Sequence, residues 1–218
     1  MQDKIHGRKR NLKQDDLIPY DSEKGAGLLI KVGPHYIFQV SGEKHSVSDG
    51  ERFFSGIGGH VEVGESFVDA ALREAIEEIG TEVELLSSEK TYYLKHTGQI
   101  IGLSLDEEIT PLMIYEMVHP KGTPKEGKLY YIVIFIAEFK GDIGELDPQE
   151  VSAILGLKKE QIMEYVDKMV SIEKILEQGG VVIRGKISAG TILFPLGTAA
   201  AFGKLLRFLK NENNLNSQ

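Results

Sequence analysis

The chain has no cysteine, which excludes disulfides and thiolate-held metals and suits a reducing compartment. It has no apolar leader at its N-terminus and no run long and apolar enough to span a bilayer, so a cytoplasmic protein without a membrane partner is expected. Low-complexity stretches and internal repeats are absent as well. The six histidines, His6, His35, His45, His60, His96 and His119, show no paired ligand spacing, which leaves no basis for a zinc site or a histidine-based triad. Positive charge is also short. The net charge of −8 argues against general affinity for nucleic acid.

What is present is 218 residues with 41% hydrophobic content, enough for one sizeable core or a core with an appendage. The charge is uneven. Residues 151–218 hold nine Lys/Arg against six Asp/Glu, while residues 1–150 hold 16 against 27. An acidic segment that handles phosphates needs cations to bring the anion in.

The most informative stretch runs from Gly58 to Thr81. Ser66 followed by Asp69 predicts a helix start, because a serine side chain caps free N–H groups. Gly80 predicts its end, since glycine accepts the left-handed closing turn. At about 100° per residue, Val68, Leu72, Ala75 and Ile79 share one stripe toward a core. Glu74, Glu77 and Glu78 fall on another side, with Arg73 beside them. Three carboxylates in one turn repel each other by a few tenths of a kcal/mol per pair, roughly. A divalent cation reverses the sign of that interaction, and Mg²⁺ takes such oxygen ligands together with substrate phosphates. A solvated acidic face is the plainer alternative. Against it stand the glycine-rich entry to the helix and Arg73, placed to hold a neighbouring carboxylate.

These residues resemble the box of the Nudix hydrolases, G-x5-E-x7-R-E-U-x-E-E-x-G-U, where U is a bulky aliphatic. Gly59, Glu65, Arg73, Glu74, Glu77, Glu78 and Gly80 match every fixed position; Ala75 and Thr81 occupy the two U positions and depart from them. Ile57 stands where the family commonly has proline. The resemblance covers about residues 25–157. It implies an α/β fold, an α/β/α sandwich around a mixed sheet. It also implies hydrolysis of a phosphoanhydride, typically a nucleoside diphosphate linked to another moiety, with Mg²⁺ or Mn²⁺ as cofactor. By resemblance, Glu74, Glu77 and Glu78 bind metal with the Gly59 carbonyl, Arg73 orients the glutamates, and Glu65 braces the loop. His60 is expected to serve that loop. The general base is expected to be Glu74 or Glu138, the latter lying near the end of an apolar strand. Glu116, Glu126 and Glu145 compete with Glu138. A non-catalytic nucleotide-sensing module is the alternative reading. An isoprenoid-diphosphate isomerase would want a cysteine nucleophile, which the chain lacks.

Around the box, strands are expected at 25–32, 36–40, 52–56, 82–86, 91–95, 112–118 and 129–139, the last being the most apolar and central. Residues 96–111 read as a polar connection. Residues 1–24, with Lys4, Arg8, Lys9, Arg10 and Lys13, read as a solvated arm; an arm over an anionic substrate or a second subunit is the other option. Residues 158–218 read as a helical extension. It holds one helix over 158–178 with Ile162, Val166 and Met169 on a core stripe, a short strand at 181–184, and a last helix over 195–210. Phe202, Leu205, Leu206 and Leu209 on that helix are expected to dock on the domain or across a homodimer rather than on a membrane. The tail from Asn211 is expected to be disordered.

Overall fold

The computed structural model describes residues 11–45, 48, 50–119, 121 and 125–215. Strands β1 (Glu23–Val32) and β2 (His35–Ser41) form a hairpin. Gly33 turns it at φ 57°, a left-handed position that glycine takes without strain. Then come β3 (Glu51–Ser55), helix α1 (Phe67–Ile79), β4 (Val83–Leu86), β5 (Thr91–Leu94), β6 (Ile100–Leu103), β7 (Met113–Val118) and β8 (Leu129–Phe139). The C-terminal part contributes β9 (Val151–Lys158), α2 (Lys159–Tyr165), β10 (Val170–Ser171), α3 (Ile172–Glu177), β11 (Val181–Gly185), β12 (Ile192–Pro195) and α4 (Gly197–Leu215).

The mixed sheet is built around β8. It runs parallel to β1, with Gly25 opposite Ile132 and Ile30 opposite Ala137, and antiparallel to β7 and β4. Its residues from Tyr130 to Phe135 are all buried, as expected of a strand covered on both faces. Val133 and Phe135 pack with Phe67, Ala71, Ala75 and Ile79 of α1. Ile132 and Ile134 point the other way, into a cluster with Phe202, Leu205 and Leu206 of α4 and Ile162 of α2. Helices therefore cover both faces, which makes an α/β/α sandwich. No described helix is long and apolar enough to cross a membrane.

The C-terminal extension differs from expectation. It is not purely helical: β12 pairs parallel with β3, and β11 pairs with β9, which itself lies along β2. The single helix expected over 158–178 is broken. Val170 pairs with Leu193 across β10 and β12, and Ser171 caps α3 by accepting from the Lys174 N–H at 3.3 Å. Met169, expected on a core stripe, is exposed, whereas Ile162 and Val166 are buried. Pro195 closes β12 instead of opening the last helix, and α4 continues to Leu215, into the tail expected to be disordered. Its apolar face is buried against its own chain.

Two polar segments are more ordered than they read. Residues 96–111 contain β6, turned back on β5 through Gly98 at φ 88°. In the N-terminal arm, Ile18 is buried, and the Gln14 N–H donates to Glu107 at 2.7 Å. The cluster Lys4, Arg8, Lys9 and Arg10 lies outside the described residues; Lys13 is exposed.

Candidate active site

Helix α1 begins and ends where its sequence signals fall. The Ser66 hydroxyl accepts from the Asp69 N–H at 3.1 Å, and Gly80 closes the helix at φ 64°. The buried stripe is wider than the one expected. Phe67, Ala70, Ala71, Ala75 and Ile79 are buried, with Val68 and Leu72 half-buried at its edge. Both departures from the box pattern are interior positions: Ala75 and Thr81 are buried. Ile57 is fully buried too, and its carbonyl accepts from the Leu28 N–H at 2.7 Å, fastening the loop to β1.

Arg73 is the hub of the site. Its Nε and Nη2 grip the two oxygens of Glu65 at 2.9 and 3.0 Å. Nη1 donates to Glu74 and to Glu77, each at 2.9 Å, and Nη2 also reaches the His60 carbonyl at 2.9 Å. A planar guanidinium with five donors suits this work, which a lysine cannot duplicate. The Arg73 side chain holds the Glu65 carboxyl below its ordinary range. The same grip fixes the loop, since Glu65 also accepts from the Glu62 N–H at 2.9 Å. The His60 ring packs on Tyr130 at 5.0 Å between centroids.

Glu78 and Glu74 are the inward pair. The Glu78 carboxyl receives the Gly58 N–H at 2.7 Å and the Gln39 amide at 2.8 and 2.9 Å. Burial outweighs these donors, and its pKa is pushed up to about 8. Burial raises the Glu74 carboxyl as well, against the pull of Arg73. The Glu74 carboxylate lies against Gly59, where a Cβ would come within 2.3 Å of its oxygen. A larger residue there would push the Glu74 carboxylate aside. The Gly59 carbonyl, expected to face a metal, is directed at β1. It accepts from the Ala26 N–H at 3.0 Å and from the Tyr130 hydroxyl at 3.4 Å.

Glu74, Glu77 and Glu78 share a cleft of about 300 Å³ with two acids the sequence reading did not select, Asp147 and Glu150. Glu150 accepts from Lys44 at 2.5 Å and His45 at 2.7 Å, and these two donors hold its carboxyl below the ordinary range. It arrives there because residues 42–44 pair with 148–150: Gly42 N–H donates to the Glu150 carbonyl at 2.8 Å and Lys44 N–H to the Gln149 carbonyl at 3.0 Å. The run Asp147–Glu150 in front of a strand is the only local trace of this role; the pairing that delivers it spans about a hundred residues.

Glu138 does not reach the cleft. Along β8 it shares parity with Ile132 and Ile134, which face α4, while the face under α1 belongs to Val133, Phe135 and Ala137. It is exposed and sits opposite Glu84 of β4. It also lies three to five residues beyond the level of Ala26 and Leu28, where the loop is anchored, or about 10–16 Å along the strand. Of its competitors, Glu116 is buried against the Tyr93 hydroxyl and His96, Glu126 is exposed, and Glu145 lines a neighbouring cavity.

Among the described residues, no three acidic or histidine side chains are gathered closely enough to grip an ion. The carboxylates of Glu74 and Glu77 are drawn to Arg73, and Glu78 to Gln39 and Gly58. The donor set nevertheless fits a hard divalent cation. It is all oxygen, it faces one cleft, and it includes a buried carboxyl whose charge has no cationic partner at hydrogen-bond distance.

The chain belongs to the Nudix family: the NUDIX domain profile matches residues 39–175. Similar solved structures include a NUDIX hydrolase from Nitrosomonas europaea, 16% identical, covering 66% of this chain and 77% of that one at a TM-score of 0.44. A MutT NUDIX hydrolase from Burkholderia pseudomallei is 16% identical, covering 64% and 85% at 0.43. A NUDIX-family hydrolase from Clostridium perfringens is 16% identical, covering 71% and 91% at 0.43. No curated protein matches the chain.

Proposed function

We propose that the chain hydrolyses a phosphoanhydride bond, in a nucleoside diphosphate-linked or related small molecule, with Mg²⁺ or Mn²⁺ as cofactor. The observation that carries this reading is the cleft lined by Glu74, Glu77, Glu78, Asp147 and Glu150 beside the Arg73 hub. Glu74, Glu77 and Glu78 would hold the ion. The Gly59 carbonyl, also expected to face the ion, is engaged by Ala26 and Tyr130. When bound, a divalent ion neutralises diphosphate oxygens and lowers the pKa of water.

The chain's own residues do the rest. Arg73 fixes three carboxylates at once and keeps them from spreading apart. Glu65 pins the loop to that hub. A water in the cleft has two candidate bases. Glu74 is half-buried, and burial raises its pKa, while Lys44 and His45 lower that of Glu150. Glu150 replaces Glu138 in that pair.

The test is a hydrolysis screen over nucleotide and sugar-nucleotide pyrophosphates with each metal, with products identified. Glu77→Gln and Glu78→Gln preserve shape and remove a charged ligand. Each is expected to lower turnover by about a hundredfold or more. Full activity in both variants, or activity undiminished in EDTA, overturns the assignment.

A further inference from the structure

A second, larger cavity of about 670 Å³ opens beside the acidic cleft, a size in the range of small-molecule sites. The two share a wall, Val151, and the ridge 145–151 lies between them. The ridge is held down by the 42–44 pairing, so the cavity and the cleft are fixed relative to each other.

Their chemistry differs. The side chains lining the box cleft are acidic apart from Val151, whereas Arg52, Arg184 and Lys186 all line the cavity. Arg52 is half-buried on β3 and donates to the Glu51 carbonyl at 2.9 Å. Arg184 and Lys186 come from the end of β11. A bulge between Val182 and Arg184 breaks the strand's alternation there. Gly185, at φ 76°, keeps the turn tight on β9, where a Cβ would fall 2.3 Å from the Ser152 carbonyl oxygen. The Lys186 N–H then donates to that carbonyl at 3.1 Å. The backbone at both cations is thus fixed by β9. Neither charged group is engaged by an acidic side chain among the described residues. Two acids also line the cavity, Glu43 and Glu145, and Glu43 is occupied by the Gln149 amide at 3.0 Å. Leu146, Pro148, Val151 and Ile187 supply apolar wall.

We propose that this cavity is a second substrate subsite, taking a nucleoside or sugar end that carries a further phosphate while the scissile diphosphate lies over the box carboxylates. The apolar wall takes the body of that moiety, and Arg184 and Lys186, with Arg52 behind them, take its phosphate. The proposal rests on the hydrolase reading and narrows its substrates to diphosphates with an additional anionic group at the far end.

The experiment is binding of adenosine 3′,5′-bisphosphate to the full chain without metal, by calorimetry, with adenosine as the uncharged control. The bisphosphate is expected to bind, and adenosine to bind at least about tenfold more weakly. The Arg184→Ala/Lys186→Ala double variant is expected to lose about tenfold in affinity for the bisphosphate. Both positions are exposed, so an unchanged melting temperature is expected; Lys186→Glu gives a second variant with the charge reversed. Glu77→Gln/Glu78→Gln is expected to leave this binding unchanged. No binding by the wild type, equal binding by the double variant, or loss on changing Glu77 and Glu78 overturns the subsite. The readout involves no turnover. A chain that binds but hydrolyses nothing keeps the subsite and loses the hydrolase reading; one that hydrolyses but does not bind loses only the subsite.

Discussion

One guanidinium, Arg73, gathers Glu65, Glu74, Glu77 and a carbonyl, and sequence spacing makes the two helical partners legible, while Glu65 comes from the loop before the helix. Positions 73, 74, 77 and 78 lie within two turns of one helix, so their proximity follows from the helical period alone. Glu150 was not legible, because a loop-to-loop pairing delivers it. The two carboxylates can be separated by experiment. Glu150→Gln is expected to lower turnover by about tenfold or more, in the range of a lost general base. Glu138→Gln is expected to leave it unchanged, since that side chain lies on the other face. A steady-state comparison checks both; a slow Glu138→Gln beside an unchanged Glu150→Gln would reverse the assignment.

Glu116 gives a prediction in pH. Burial pulls its carboxyl up, but the Tyr93 hydroxyl, the His96 N–H at 3.0 Å and the His96 ring at 2.6 Å hold it below the ordinary value. With the folded pKa depressed, the unfolded chain takes up the proton first on acidification. The stabilisation is therefore complete above the unfolded value of about 4.5 and is lost as pH falls through the folded one. Glu116→Gln is expected to flatten the acid limb of the melting-temperature profile below about pH 4.5. An unaltered slope there removes Glu116 from the account.

Among the elements, α1 and α4 contrast. The ends of α1 are written locally, in Ser66 and Gly80. The sequence puts the start of α4 at Pro195 because proline suits both a first helical turn and a strand end, and only pairing of β12 with β3 chooses between them. Burial of Phe202, Leu205 and Leu206 against Ile132, Ile134 and Ile162 contributes about 1.5–3 kcal/mol per side chain. Together these rival a domain's whole stability of roughly 5–15 kcal/mol. Ending the chain before Pro195 is expected to make it insoluble or to abolish cooperative melting. A truncated chain with an unaltered melting temperature, alongside co-sedimentation of the full chain with anionic vesicles, would return α4 to a membrane role.

At the scale of the whole molecule, the buried carboxyl of Glu78 links ion binding to stability. A cation that binds the folded chain alone raises stability, by about 2.7 kcal/mol at a hundred times its Kd. Mg²⁺ is expected to raise the melting temperature of the wild type, EDTA to reverse the rise, and Glu78→Gln to abolish most of it. An equal rise in the variant would place the ion elsewhere.

The sequence alone determined the box helix, its caps, the carboxylate side of that helix and the apolar strand β8. Each depends on residues a few positions apart, where period and turn chemistry decide geometry. Tertiary structure decided which further acid joins the cleft, which face Glu138 occupies, and that the C-terminal segment extends the sheet and walls a basic cavity. Those outcomes rest on pairings such as Gly42 with Glu150 and Val181 with Gly156. Their partners lie far apart in the chain, and no local pattern specifies which strand edge a segment will meet.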